Sequence, residues 1–335
     1  MATFSAFRVF DEGGKIQGRV VQATIDELSA GDVAHVVIRA AYSSVNYKDA
    51  LAATGAGKIL RRFPLIAGID VSGTVESSSD PRFTSGEPVL VTGFDLGVAS
   101  DGGFAEYVRV PADWVVAMPA GLTTFDVMAI GTAGFTAALS IVEMERNGLA
   151  PANGPVIVTG ATGGVGSVAV EILAGLGYQV TALTGKDDQH EYLRSIGAKD
   201  VLSRNGLQMG TRPLEKSMWA GAVDPVGGET LAWLTRTMMY GGSIALSGLT
   251  GGTEVHTTVL PFILRGVRLL GIDSAMCPMG PRLEVWRRLA TDMKPGNLRA
   301  LAREVRLSDL PGVFPELLKG NARGRTVVKL FDSRP

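Results

Sequence analysis

The sequence predicts an α/β protein in two parts: a doubly wound parallel sheet with helices on both faces, and a β-rich domain ahead of it. Three observations carry this expectation. The first third is a series of short strand-like runs punctuated by glycines at 68, 73, 86, 93, 97, 102 and 103, the texture of a compact barrel or sandwich. From about Thr123 the pattern changes to strand and helix in alternation, which builds a parallel sheet. A glycine-rich stretch, Gly160–Gly166, sits where the first strand of that series turns into its helix.

In chain order, the early strands are expected at His35–Ala40, Val71–Glu76, Pro88–Thr92 and Ala105–Arg109. Phe125–Met144 is rich in alanine and apolar residues and reads as helix. Val156–Thr159 is a short buried-type strand. Val165, Val168, Ala169, Ile172 and Leu176 then recur at helical spacing. Gln179–Leu183, Ala220–Asp224, Ser243–Ser247 and Val267–Ile272 read as further strands, with helices at Gln189–Ile196 and about Glu229–Met239. The end is mixed: an amphipathic helix over Arg282–Met293, a last helix near Phe314–Lys319 and a closing strand Thr326–Phe331.

Composition narrows the function. The chain has 335 residues, 46% hydrophobic and 19% charged, enough for about two packed domains. A net charge of −1 gives no electrostatic case for nucleic acid. The uncharged stretch Pro151–Val170 is interrupted by five glycines and a proline, so it does not read as a membrane span. One cysteine, Cys277, excludes an internal disulfide and a cysteine-rich zinc site. The beginning, MATFSAFRVFDEGG, lacks the apolar core of a secretory signal, and a cytoplasmic protein is expected.

The strongest local motif is Val158-Thr159-Gly160-Ala161-Thr162-Gly163-Gly164-Val165-Gly166. Its glycines fit G-x-x-G-x-x-G, a variant of the dinucleotide fingerprint. The first permits a tight turn, the middle ones let backbone N–H groups approach a pyrophosphate, and the last lets helix pack on strand. Unpaired N–H groups at the start of the helix favour the phosphates. The second strand ends in Thr184-Gly185-Lys186, a hydroxyl, a glycine and a cation, where an NAD site usually has an acid. That suits the 2′-phosphate of NADPH, while Asp187 and Asp188 just beyond keep NADH open. Arg204 completes the expected coenzyme set of Tyr47, Gly160, Thr162, Gly163, Gly164, Val165, Gly166, Thr184, Gly185 and Lys186.

With these residues in hand, the chain resembles the medium-chain dehydrogenase/reductase superfamily over essentially its whole length. The likeness rests on Ser43-Ser44-Val45-Asn46-Tyr47-Lys48-Asp49, Pro64-Leu65-Ile66-Ala67-Gly68-Ile69-Asp70-Val71-Ser72-Gly73, Gly131-Thr132-Ala133-Gly134-Phe135-Thr136-Ala137 and Gly324-Arg325-Thr326-Val327-Val328-Lys329. Within it the chain looks most like the acryloyl-CoA reductase branch, through Asn46–Leu51, Asp80–Phe83, His190–Leu193, Arg212–Lys216, Gly221–Asp224 and Pro261–Arg265. The resemblance implies a GroES-like catalytic domain over residues 1–124, completed by 276–335, and a Rossmann NADPH-binding domain over 125–275. It also implies NADPH-dependent reduction of acryloyl-CoA or a related acyl-CoA in a homodimer. Two departures stand out. The loop Gly93–Gly103 lacks the aromatic and histidine of close relatives, and Pro225 replaces a usual threonine.

Zinc alcohol dehydrogenases of the superfamily hold catalytic zinc through cysteine and histidine. Here the first ligand region reads Asn46-Tyr47 and the usual His-Glu pair is Ile69-Asp70, so no metal is expected. Hydride delivery to an already polarised alkene then fits better than alcohol–ketone chemistry. Tyr47 is the first candidate for enolate donor or proton source, because the resemblance places its segment at the cleft and a phenol carries a proton near neutral pH. Solvent is the other source of that proton. Asn46 is expected to orient substrate or nicotinamide. Arg61 and Arg62 are candidates for CoA phosphates or a solvated basic loop, and Asp49 and Asp70 read as structural. A quinone or enone reductase on the same scaffold and a non-catalytic NADPH-binding protein are the alternatives.

Overall fold

The structure, a computed structural model, describes residues 3–28 and 31–331. In chain order its main elements are β1 (Phe4–Glu12), β2 (Lys15–Ala23), β3 (His35–Val45), α1 (Tyr47–Thr54), β4 (Leu65–Ile66), β5 (Asp70–Ser78), β6 (Pro88–Thr92), β7 (Tyr107–Pro111), β8 (Val116–Ala117) and α2 (Thr124–Arg146). The alternating part holds β9 (Val156–Val158), α3 (Gly164–Gly175), β10 (Val180–Thr184), α4 (His190–Ser195), β11 (Asp200–Ser203), β12 (Trp219–Asp224), α5 (Gly228–Thr237), β13 (Met238–Leu246), α6 (Leu260–Arg265) and β14 (Arg268–Gly271). The chain closes through α7 (Met279–Leu289), α8 (Leu298–Leu301), β15 (Ala302–Arg306), α9 (Leu310–Leu318) and β16 (Arg325–Lys329).

These elements cluster into two units. The first comprises Met1–Thr132, Ala275–Trp286 and Asn297–Pro335; the second comprises Ala133–Ser274 and Arg287–Gly296. In the first unit one sheet runs β15-β16-β3-β5-β6-β8, with β7 also on β3, and a small sheet runs β2-β1-β4. All pairs are antiparallel except β15 with β16. The β1–β2 hairpin was not among the expected strands, because its second strand is largely exposed and carries Lys15, Gln17, Arg19 and Gln22 in place of a buried apolar row. The core is built from the inward rows of β1, β3 and β5 together with α9, with Phe7 set against Phe104 and Phe314.

The returning chain is anchored by a cation. Arg282 is fully buried and donates to the carbonyls of Thr92, Ala275 and Cys277, with its guanidinium over the Phe94 ring at 4.2 Å. Phe94 itself has φ 54°, so this contact holds the mouth of the Gly93–Gly103 loop in an unusual conformation. Arg61 and Arg62 pair with Asp95 and Asp101 of the same loop, at 3.3 and 3.0 Å. Their place in this structure is thus against loop carboxylates.

In the second unit all six strands are parallel, in the order β11-β10-β9-β12-β13-β14. Numbered within the unit this is 3-2-1-4-5-6, the doubly wound arrangement whose strand order reverses between β9 and β12. β9, β10 and β12 are buried along their whole length and read as continuous apolar or small-residue runs, as sheets covered on both faces require. α2, the one described helix long and apolar enough to cross a membrane, has 89% of its most apolar window buried inside the protein and reads as a core helix. It is also broken: Gly131 has φ 53° and ψ −166°, and the helix restarts beyond it.

Candidate active site

The site candidates in the first unit gather where β3 gives way to α1. β3 ends at Val45, Asn46 remains extended, and Tyr47 opens the helix. Asp49 closes the turn by accepting the Asn46 N–H at 2.8 Å, the reciprocal half of a capping box. Its other oxygen accepts the Ile69 N–H at 3.1 Å, so one carboxylate ties the start of α1 to the segment before β5.

Asp70 lies at the centre of this cluster. Its carboxylate accepts from Ser44 Oγ (2.5 Å), Asn46 Nδ2 (2.8 Å), the Thr132 N–H (2.9 Å) and Thr132 Oγ1 (2.5 Å). Arg325 lies 3.9 Å from the same carboxylate. The guanidinium donates to Asn46 Oδ1 (3.2 Å), the Val45 carbonyl (3.3 Å), Ser44 Oγ (2.8 Å) and the Ala129 carbonyl (3.2 Å). All of these residues are in the first unit. The break in α2 makes room for them: a Cβ on Gly131 would fall on the Arg325 guanidinium and Ser44 Oγ. The kink also turns the Thr132 N–H and hydroxyl onto Asp70.

This geometry changes the role open to Asn46. Its amide nitrogen is committed to Asp70, its amide oxygen to Arg325, and it is 8% exposed. Its amide is thus engaged at both ends with neighbours in the first unit. Tyr47, by contrast, is 37% exposed. Asp49 and Asp70, expected to be structural, tie this cluster together, and Arg325 was not singled out in the sequence. Asn46 and Arg325 stand 279 positions apart, and no spacing in the sequence signals that they meet.

The electrostatics follow from burial. Two carboxylates and one guanidinium are buried side by side. Burial, and then the neighbouring Asp70, push Asp49 up to about 7, against the pull of the Asn46 and Ile69 N–H groups. Burial lowers Arg325, and the Asp70 and Asp49 carboxylates oppose that.

A zinc site is not supported by these donors. Among the described residues no three of His, Cys, Asp and Glu form a metal-ligating group. Asp70, bonded to the Asn46 side chain, already accepts four hydrogen bonds and faces a guanidinium. A divalent cation would have to displace those donors and sit beside a fixed positive charge.

In the second unit the glycine turn follows β9. Gly160 has φ 53°, Gly163 is the N-cap of α3, and Gly164, Val165 and Gly166 form its first turn. A Cβ on Gly166 would collide with the Gly160 carbonyl, so only glycine lets the helix start this close to the strand. Thr162 is buried beside them. These features fit a pyrophosphate cradle at the reversal point of the sheet. Thr184 ends β10 and its Oγ1 accepts the Lys186 N–H at 3.0 Å; the Arg204 N–H bonds the Thr184 carbonyl at 2.7 Å. The Arg204 guanidinium lies against Gly185, where a Cβ would come within 3.0 Å of it. Two cations thus flank the end of β10. Asp187 is turned to Asn205 and lies 3.6 Å from His190, and Asp188 accepts from Gln189. Beside Pro225, Asp224 accepts from Thr159 and from the Val226 and Gly227 N–H groups. A cavity of about 320 Å³ lined by Asn147, Met239, Tyr240 and Arg268 lies at the amino ends of the strands, away from the glycine turn.

Comparison with known proteins finds likenesses that span both units. The description "Alcohol dehydrogenase GroES-like domain" matches residues 32–120, and "Zinc-binding dehydrogenase" matches residues 164–290. The acrylyl-CoA reductase AcuI of Ruegeria pomeroyi is 48% identical over 319 residues, 95% of this chain and 96% of that protein. Bacillus subtilis YhfP, which carries the provisional name of a quinone oxidoreductase, is 53% identical over 297 residues, 88% of this chain and 90% of its own. Its structure with NAD bound superposes with a TM-score of 0.95 at 48% identity, covering 98% of this chain and 100% of that one. The yhdH oxidoreductase of Salmonella enterica in complex with NADP gives 0.94 at 48% identity, with the same coverage.

The raised Asp49 has a measurable consequence. A carboxyl whose folded pKa exceeds its unfolded one adds stability that is complete below about pH 4 and is lost as pH rises through about 7. Asp49→Asn is expected to flatten the denaturant-measured stability between pH 5 and pH 8 by about 1–3 kcal/mol relative to the parent chain. An unchanged slope in that window would remove Asp49 as the titrating group.

Proposed function

The chain belongs to the medium-chain dehydrogenase/reductase family, in which an alcohol dehydrogenase GroES-like domain is joined to a zinc-binding dehydrogenase domain, and on that premise we propose that it uses NADPH to reduce the carbon–carbon double bond of acryloyl-CoA, or a related short α,β-unsaturated acyl-CoA, to the saturated thioester. The observation that carries this reading is the Asn46–Tyr47 turn, a half-exposed phenol at the edge of a cluster whose other named side chains are engaged with one another. The identity to AcuI supports the substrate class.

The first unit is then the catalytic domain and the second the coenzyme domain. Gly160, Thr162, Gly163, Gly164, Val165 and Gly166 hold the pyrophosphate; Thr184, Gly185, Lys186 and Arg204 hold the 2′-phosphate of the adenosine ribose. The structure with NADP supports that choice, and the structure with NAD keeps the second coenzyme in view. Bound NADPH supplies the hydride that adds at the β-carbon. Tyr47 hydrogen-bonds the thioester oxygen as negative charge collects there, or gives its proton to the α-carbon and takes one back from solvent, which is the other source of that proton. Asn46 acts indirectly, by holding the strand-to-helix turn. No step needs a metal ion, because polarisation by the thioester carbonyl already activates the alkene.

The name of YhfP favours a second reading, reduction of quinones or enones by the same hydride chemistry. We also propose a homodimer. β14 is an outer strand with one unpaired edge, and Leu269 on it and Ile263 and Leu264 on the preceding helix are exposed.

NADPH oxidation followed in parallel with acryloyl-CoA, crotonyl-CoA and a quinone is expected to be fastest with acryloyl-CoA, and Tyr47→Phe to lower that kcat about 100-fold. Turnover of the quinone alone would select the second reading, and full activity of Tyr47→Phe would remove its catalytic role. Lys186→Glu is expected to shift the ratio of kcat/KM toward NADH; identical kinetics with both coenzymes would reject the 2′-phosphate assignment. Sedimentation equilibrium is expected to report a dimer that dissociates in Leu269→Asp, and a monomeric parent chain would defeat the edge-strand proposal.

A further inference from the structure

Arg325 comes from the far end of the chain, yet β16 pairs antiparallel with β3 in a register that sets Thr326 opposite Val45. One step beyond that pair stand Arg325 and Asn46, so the end of the ladder delivers a guanidinium to the residue where β3 stops being strand and α1 begins. The guanidinium is 3% exposed at its side chain and four of its five N–H groups are engaged: Nε reaches Ala129, one terminal nitrogen reaches Val45 and Asn46, the other Ser44. Asp70 takes the opposite end of the Asn46 amide. The two ends of one amide are therefore held by a donor-only and an acceptor-only partner, which fixes the amide in a single orientation. The backbone carbonyl of Asn46 in turn accepts the Asp49 and Ala50 N–H groups that close the first turn of α1.

We propose that Arg325 is a positioning residue for the reaction: by clamping Asn46 against Asp70 it sets the first turn of α1 and hence the direction of the Tyr47 phenol. This rests on the reading of Tyr47 given above. A cation serves here because the acceptors it must join — an amide oxygen, a hydroxyl and two carbonyls — come from two separate segments, Ser44–Asn46 and α2, and its charge faces a third at Asp70. A fork of fixed shape spans them where a point charge on a flexible stem does not. Gly131 belongs to the same device, since a side chain there would occupy the guanidinium's space.

The test is a double-mutant cycle with a reading that needs no substrate. Arg325→Lys keeps the charge and loses the fork. It is expected to lower kcat with acryloyl-CoA about tenfold with KM within about twofold, and to have under about a twofold effect in a Tyr47→Phe background. Independent, multiplying effects would overturn the proposal. Ser44→Ala, which removes one acceptor and leaves Arg325 in place, serves if the lysine variant does not fold, with a smaller loss and the same non-additivity expected. In parallel, hydrogen exchange at the Asp49 and Ala50 amides is expected to quicken about tenfold in either variant while the β9 and β12 amides keep their protection. Unchanged exchange there overturns the clamp whatever the substrate proves to be. Full turnover by Tyr47→Phe with quickened exchange would instead defeat the reading of Tyr47 and leave the clamp on α1 standing.

Discussion

A buried guanidinium organises the first unit. An arginine removed from water is costly unless its charge is matched and every N–H direction finds an acceptor. Around Arg325 those acceptors come from β3, from the residue after it and from the broken part of α2, and the matching charge comes from the first residue of β5. Breaking any of these contacts leaves a buried polar group without a partner, so four segments distant in sequence are held in one arrangement. The kink at Gly131 is part of that arrangement. Without it a helix backbone would give Asp70 neither the Thr132 N–H nor its hydroxyl.

The same logic explains why an exposed phenol sits beside so much buried polarity. A catalytic group must be placed to within fractions of an ångström, and the segment carrying it is short, an eight-residue helix following an extended residue. Helices of that length are marginal alone. Here the first turn is fixed from outside, by Asp49 on one side and by the Asn46 clamp on the other, so rigidity is imported from the sheet. Net charge is contained as well: two acids and one base are buried together, and the raised Asp49 relieves the excess by holding a proton more tightly than a free carboxyl would.

The second unit solves a different problem with different means. It uses no buried ion pair at the turn. Small residues bring backbone N–H groups to the surface at the carboxyl ends of parallel strands, and the start of α3 adds its dipole. On the proposed reading, the cations that would meet a ribose phosphate are side chains at the rim, Lys186 and Arg204, outside the buried strands of the sheet. The cavity at the amino ends of the strands lies on the side where doubly wound sheets do not bind coenzyme.

What the sequence determined by itself was local and periodic. The glycine turn, the alternation of strand and helix, the cations after β10 and the absence of a cysteine–histidine zinc set are all contained in short windows, because propensity, turn chemistry and ligand identity act over a few residues. The segment Asn46-Tyr47 was legible as the place of interest through its likeness to a family. Tertiary structure decided the rest. It occupied both ends of the Asn46 amide, set Arg61 and Arg62 against Asp95 and Asp101, paired an exposed and charged β2 with β1, and broke α2 at a glycine that sequence reads as ordinary helix. Each of these depends on which distant residue shares a buried volume. That is a property of strand register and packing across hundreds of positions, and no window of sequence contains it.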